Sequence, residues 1–314
     1  MDPAMYQDID GVWMHKFFPV ENVRSAMKYK PRDGDIIVVT YPKCGTNWAQ
    51  YIVYNILTRG NPPADVGEYS LMSPFIDLTG ANASENPSRF AAIMTHLPLH
   101  AFTPVDQAKY IYVARNPYDC AVSFYHFILG MTPKSITDVS FGRFLDLFLS
   151  GKVLYGDYFD HLLPWYGRRV SPNVLFMTYE DMKADLRAEV LNIADFLGED
   201  HGKALREDDE LVTRIMDACS LENMKVFFKD NPKDRVEKMA QAASKSPIVD
   251  QAPLKEVLSP RMNTHEGSGF VRKGIVGDWK NHFTADQIKM MKAWIASKTR
   301  GSDVMKIWSS LDLP

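Results

Sequence analysis

The chain has 314 residues, with 36 Lys and Arg against 39 Asp and Glu and a net charge of −3 at pH 7; that length suits one large α/β domain or two smaller ones, and the slight acidity excludes a general binder of nucleic acid. No apolar run approaches the ~18 residues of a membrane helix, and the acidic N-terminal MDPAMYQDIDGVW lacks a signal-peptide pattern. Three cysteines, Cys44, Cys120 and Cys219, form no CxxC pair, and the one HxxxH spacing, His96 to His100, has Pro98 inside it and no Cys or His partner spaced as in a zinc site, so a cytoplasmic protein without metal, membrane or nucleic-acid partners is expected.

The first strand signal is the β-branched run DIIVVT from Asp35. It leads through TYPKCGTNW (Thr40 to Trp48) into a helical pattern with apolar Ala49, Ile52, Val53, Ile56 and Leu57. A helix that starts at such a turn aims unpaired N–H groups and the positive end of its dipole at one point, where an anion belongs. Gly45 lets the chain pass close to that anion, Thr46 and Asn47 add polar side chains, and Lys43 adds a mobile charge. Alone, one Gly and one Lys read better as a surface turn with a solvated lysine, and the stretch becomes informative only with a second anion site elsewhere in the chain.

Three further strand signals follow: AAIMT at Ala91, KYIYVAR at Lys109 and NVLFMTY at Asn173. The second of these runs into RNPYDCAVSFYHF, where Asn116 is placed to cap a helix, Pro117 suits its first position, and Ser123 lies about two turns along, able to share an anion with Arg115. DMKADLRAEVLNIADFLG predicts one helix with Leu186, Val190, Ile193 and Leu197 on one face and Gly198 as its stop. From Asp230 to Gly269 the pattern gives way to a polar stretch, read as a lid over residues 230–269. GFVRKGIVGDWKNHFT then sets Arg272 and Lys273 beside Gly274 and Gly277, a third basic cluster on a backbone free to approach a ligand.

Strands alternating with helices predict a largely parallel sheet covered on both sides, with ligands at the carboxyl ends of the strands. That rule brings together Lys43 to Trp48, His96, Arg115 and Tyr179. Cationic clusters that recur in a mildly acidic chain suggest a ligand with two separated phosphate-like groups. His96, in THLP at the end of AAIMT, stands where a neutral imidazole would take a proton from an incoming hydroxyl or amine, an effect of ~10² to 10⁴ in rate.

The motifs TYPKCGTNW, THLP, RNPYDCAVSFYHF, TYEDM and RKGIVGDWKNHFT, in this order and spread over nearly the whole chain, resemble those of the cytosolic sulfotransferases. These enzymes transfer a sulfuryl group from 3′-phosphoadenosine 5′-phosphosulfate (PAPS) to small acceptors. The resemblance implies a single α/β domain over residues 1–314, with a P-loop-like strand-turn-helix binding PAPS and releasing 3′-phosphoadenosine 5′-phosphate (PAP), and no metal requirement. It places Lys43, Cys44, Gly45, Thr46 and Asn47 around the 5′-phosphosulfate, with Lys43 near the bridging oxygen. Trp48 and Tyr179 would contact adenine, and Arg115, Ser123, Arg272, Lys273 and Gly274 the 3′-phosphate. Cys219, Ser220, Leu221 and Met224, from CSLENM, and Phe270 and Val271 would complete the nucleotide site, with His96 as general base.

By the same resemblance Phe17, Phe18, Phe75, Leu78, Phe127 and Val271 would line an aromatic acceptor pocket suited to a phenol, a catecholamine or an aryl amine. Two departures stand out. Met94 occupies the place where the family often has lysine, two residues before the histidine. The family's KxxxTVxxxE dimerisation pattern reads Lys280, Thr284, Ala285 and Lys289, which puts a homodimer through that segment in question. Two other readings remain open: a noncatalytic nucleotide-binding relative, and a P-loop kinase, whose GxxxxGK[ST] spacing this sequence lacks.

Overall fold

The Asp-Gly pair of IDGV folds the chain into a hairpin of β1 (Tyr6–Ile9) and β2 (Val12–His15), antiparallel with Ile9 opposite Val12. Asp10 and Gly11 both take positive φ, at 50° and 89°, as a two-residue turn that follows the strand twist requires. In the computed structural model, residues 5–86, 89–131, 139–229, 232–244 and 271–314 are described.

The four expected strands all form, as β3 (Ile36–Val39), β4 (Ile93–Thr95), β5 (Lys109–Ala114) and β6 (Val174–Thr178). They pair as one wholly parallel sheet in the order β4-β3-β5-β6, with Val38 level with Met94 on one side and Ile111 on the other. Parallel pairing needs crossover connections, and these carry helices such as Thr46–Leu57, Pro117–Met131 and Tyr158–Gly167. The result is an α/β fold whose central strand β3 feeds directly into the turn before the helix Thr46–Leu57.

Side chains alternate across a strand, so the sheet separates two apolar clusters. Ile37, Val39, Tyr110 and Tyr112 face one, which also contains Phe18, Leu78, Phe124, Phe148 and Trp165. Val38, Ile111 and Val113 face the other, with Ile52, Val53, Tyr179, Val190, Ile193 and Met224. Full burial of a Val or Ile contributes ~1.5–3 kcal/mol, so a register slip that turned these strands over would expose most of both clusters.

DMKADLRAEVLNIADFLG forms two helices rather than one, Tyr179–Ala184 and Leu186–Leu197. Asp185 breaks the run: its backbone is extended (φ −145°, ψ 84°) and its carboxylate accepts the Ala188 N–H, capping the second helix. Within the expected lid, Pro232–Ser244 is a helix packed against the helix Val66–Met72; residues 230–231 and 245–269 lie outside the described residues. At the altered dimerisation pattern, Thr284 and Gln287 form a capping box for the helix Ala285–Lys298, Lys280 pairs with Asp312 at 2.7 Å and Lys289 with Asp286 at 3.1 Å. No helix among the described residues is long and apolar enough to cross a membrane.

Candidate active site

The turn after β3 is built from backbone shapes that few residues tolerate. Lys43 has φ 70° and Gly45, the N-cap of the helix Thr46–Leu57, has φ 108°. A Cβ on Gly45 would also stand 3.1 Å from Tyr179 Cδ2, so glycine is required there both for conformation and for space. Asn47 Oδ1 is buried without a hydrogen-bond partner.

His96 follows β4 and is held from three sides. Its N–H donates to Asp77 Oδ2 at 2.8 Å, and Thr95 Oγ1 donates to Asp77 Oδ1 at 2.6 Å. Burial raises the Asp77 carboxyl to about 6 against the lowering effect of those bonds. The His96 carbonyl lies 3.1 Å from His161 Nε2. Its ring Nδ1 lies 2.8 Å from the Thr40 carbonyl, which can only accept, so Nδ1 carries the hydrogen and Nε2 keeps its lone pair. Burial, followed by the charge of Lys43, outweighs the Thr40 bond and lowers His96 to about 4. The imidazole is thus neutral at neutral pH, with its basic nitrogen on the side away from Thr40.

Thr40 Oγ1 meets Thr46 Oγ1 at 2.5 Å, which joins the histidine's support to the start of the helix Thr46–Leu57. Lys43 reaches over the Phe127 ring, 4.5 Å from its centroid. Burial, then repulsion from Arg115 and Arg272, lowers the lysine to about 7.

Arg115 links the turn after β3 to the third basic cluster. Its Nη1 donates to the Lys43 carbonyl at 3.1 Å and its Nη2 to the Ile275 carbonyl at 3.4 Å, while Nε is buried with no partner. The guanidinium covers Tyr179 at 4.2 Å, and Tyr179 meets Trp48 with ring centroids 5.6 Å apart. A pairing of Arg115 with Asp119 is not what the fold builds. Asp119 accepts instead from Gly277 N (2.6 Å), Trp279 N (2.9 Å) and Asn116 Nδ2 (2.9 Å), fixing the third basic cluster to the helix Pro117–Met131.

In that cluster Arg272 and Lys273 both donate to Asp278, at 2.6 and 3.0 Å. Burial acts to raise the Asp278 carboxyl, but Arg272, Lys273 and Asn281 together hold it well below the usual range. Gly274 has φ 63°, and a Cβ there would stand 2.7 Å from Leu221 Cδ1, so the RKG segment lies flat on CSLENM. There the Cys219 carbonyl accepts from Trp48 Nε1 at 2.9 Å, Ser220 caps the helix Leu221–Phe227, and Met224 is buried. Phe270 lies outside the described residues.

On the opposite face of the sheet, aromatic rings lead up to the histidine. Phe17 meets Phe18 (5.5 Å), Phe18 meets Phe75 (6.0 Å), and Phe75 meets His96 (5.4 Å), in edge-to-face contacts. Leu78 and Phe127 belong to the same cluster. Val271 does not; it packs against the cluster on the other side of the sheet, the one that contains Tyr179. Met94 is buried and its N–H donates to the Pro74 carbonyl beside Phe75, so that position brings no cation to the site.

Three residues here carry no strong sequence signal. Asp77 and Tyr155, whose ring lies 5.2 Å from His96, act across long stretches of chain. Asp119 lies inside RNPYD, but its role becomes visible only once Gly277 and Trp279 are seen beside it. Cys44 and Cys120, from two different motifs, are buried with their sulfurs 3.7 Å apart. Among the described residues no group of three or more His, Cys, Asp or Glu is arranged to hold a metal.

A family model described as the sulfotransferase domain matches residues 33–303. The chain belongs to the sulfotransferase family. Curated relatives include human sulfotransferase 1E1, 32% identical over 89% of this chain and 88% of the relative. A guinea pig (Cavia porcellus) 3-alpha-hydroxysteroid sulfotransferase is 35% identical over 87% and 86%, and a rabbit (Oryctolagus cuniculus) amine sulfotransferase 32% over 90% and 87%. Among solved structures, mouse sulfotransferase SULT7A1 complexed with PAP superposes with a TM-score of 0.70 at 29% identity, covering 98% of each chain. This sulfotransferase therefore shares sequence and fold with these relatives over most of its length.

Proposed function

We propose that this sulfotransferase moves a sulfuryl group from PAPS to the hydroxyl or amine of a small aromatic acceptor, with His96 as general base. The observation that carries the reading is the bonded unit of His96, Thr40 and Thr46. It places a neutral imidazole of fixed tautomer beside the start of an anion-facing helix and next to Lys43.

The residues present fit the nucleotide. Arg115 Nε is an unpartnered buried donor, Gly45 leaves room where a Cβ would meet Tyr179, and Arg272 and Lys273 add two cations at a second point. Lys43 and the N–H groups of Gly45, Thr46 and Asn47 would hold the 5′-phosphosulfate, with Cys44 in the turn. Trp48, Tyr179, Val271 and Met224 would enclose the adenine; Arg115, Ser123, Arg272, Lys273 and Gly274 would hold the 3′-phosphate. When bound, PAPS supplies an activated sulfuryl group and PAP as the leaving group.

His96 Nε2 would take the acceptor's proton as the acceptor attacks. Lys43 would neutralise charge on the departing oxygen, and its lowered pKa makes the protonated form responsive to an arriving anion. Phe17, Phe18, Phe75, Leu78 and Phe127 would orient a flat acceptor against His96. The hydroxysteroid and amine sulfotransferases among the relatives support a small-molecule acceptor, and the aromatic wall favours a phenol, a catecholamine or an aryl amine.

The test is transfer of labelled sulfate from PAPS to panels of phenols, catecholamines, aryl amines, steroids and alcohols, without added magnesium, with His96→Ala alongside. Label in one class, lost in the variant, is the expected result. Tight PAP binding with no transfer to any acceptor would favour the noncatalytic reading, which Met94 keeps in view.

A further inference from the structure

His126 lies about one turn beyond Ser123 on the helix Pro117–Met131. Its Nε2 meets Nε2 of His282 at 2.9 Å, ring edge to ring face at 82°. His282 Nδ1 in turn lies 3.0 Å from the Asp278 carbonyl oxygen. A carbonyl only accepts, so His282 Nδ1 carries a hydrogen, its Nε2 is a bare acceptor, and His126 Nε2 must donate. The chain of bonds runs from the helix, through two imidazoles, to the residue whose carboxylate holds Arg272 and Lys273.

Asp119, in the first turn of the same helix, also grips this segment through Gly277 and Trp279. Arg115 adds a contact at the start of the segment, through the Ile275 carbonyl. The His126–His282 bond is a second tie about two helical turns further along, and two separated ties fix the orientation of the turn against the helix. Burial, then the charge of Arg272, lowers His126 to about 4, so at neutral pH it carries the single Nε2 hydrogen that the bond needs.

We propose that the His126–His282 hydrogen bond is the brace that sets this enzyme's preference for a nucleotide with a 3′-phosphate. It does so by holding Arg272 and Lys273 at a fixed spacing from Ser123 and Arg115. The inference rests on the assignment of this cluster to the 3′-phosphate under the proposed function. His126 is a positioning residue here: it acts through His282 and Asp278.

Calorimetric binding of PAP and of adenosine 5′-phosphate, which lacks the 3′-phosphate, tests it on the full chain. For His126→Phe the affinity for PAP falls about tenfold, equivalent to about 1.4 kcal/mol, while that for adenosine 5′-phosphate holds. His126→Gln, whose side-chain amide can still donate to His282, regains most of the loss. In turnover, the donor KM of His126→Phe rises more than kcat falls. His282→Phe breaks the bond from the other side and gives the same loss, which keeps the test available if one variant fails to fold. Equal losses for both nucleotides, or none, in folded variants would overturn the brace. A wild-type protein that binds both nucleotides alike would overturn the 3′-phosphate assignment itself and the brace with it.

Discussion

His96 gives its Nδ1 hydrogen to the carbonyl of Thr40 across 2.8 Å, and the hydroxyl of the same threonine meets Thr46 at 2.5 Å. One residue thus connects the proposed base with the helix proposed to face the donor. His96→Asn retains a donor for Thr40 and removes the base, so kcat should fall by ~10² to 10⁴ with PAP affinity within about twofold of wild type. With His96 lowered to about 4, the neutral form dominates above that pH and is lost below it. The acid limb of kcat/KM should therefore lie near pH 4, and a limb near pH 6.5 that His96→Asn abolishes would refute the assignment.

Lys43, lowered to about 7 by burial and then by Arg115 and Arg272, is partly deprotonated in the free protein at neutral pH. An arriving phosphate raises its pKa again, so PAP binding should take up a proton, and affinity should weaken as pH rises through about 7. Calorimetry in two buffers of different ionisation enthalpy measures the uptake. Lys43→Met should abolish it and lower kcat severely; uptake unchanged in the variant would assign the proton elsewhere.

Asp119 accepts from Gly277, Trp279 and Asn116. Asp119→Asn turns one acceptor into a donor facing another donor, an unmade buried bond that costs ~1–3 kcal/mol. A lower melting temperature together with weaker PAP binding is expected, because the same bonds dock the Arg272 segment. Unchanged stability would show that the segment is held by its other contacts.

All three cysteines are buried, and burial pushes the Cys44 and Cys219 thiols up. Buried thiols of raised pKa react slowly. Ellman's reagent should find almost no thiol in the folded protein and all three in guanidinium. Rapid labelling of the native state would mean that the turn after β3 opens readily.

The four parallel strands and the anion-facing turn were legible because their signals are local: a β-branched run, a glycine, then helical spacing. The hairpin β1–β2 left a local signal too, the Asp-Gly of IDGV, but its flanking strands are short and include Asp8 and His15, so alternation is weak. The break at Asp185 was hidden because leucine, valine and isoleucine keep helical spacing on its far side. Asp77 left no trace near His96, since its bonds to Thr95 and His96 depend on how the chain returns to β4. Val271 shows the limit of alignment: the resemblance assigned it to both the nucleotide site and the acceptor pocket, and only the fold shows which side of the sheet it packs on.

That sheet is a wall one strand thick, with Trp48, Tyr179 and Val271 on one side and Phe18, Phe75 and Leu78 on the other. His96 and Lys43 stand at the carboxyl-end rim of that sheet. With the donor on the first side and the acceptor on the second, as proposed, a lineage can drift in what it modifies while its fuel stays constant: aromatic residues exchanged on one side lie across the sheet from the packing of the other. Laboratory evolution of a new acceptor range has the same freedom, as long as mutations stop short of the rim.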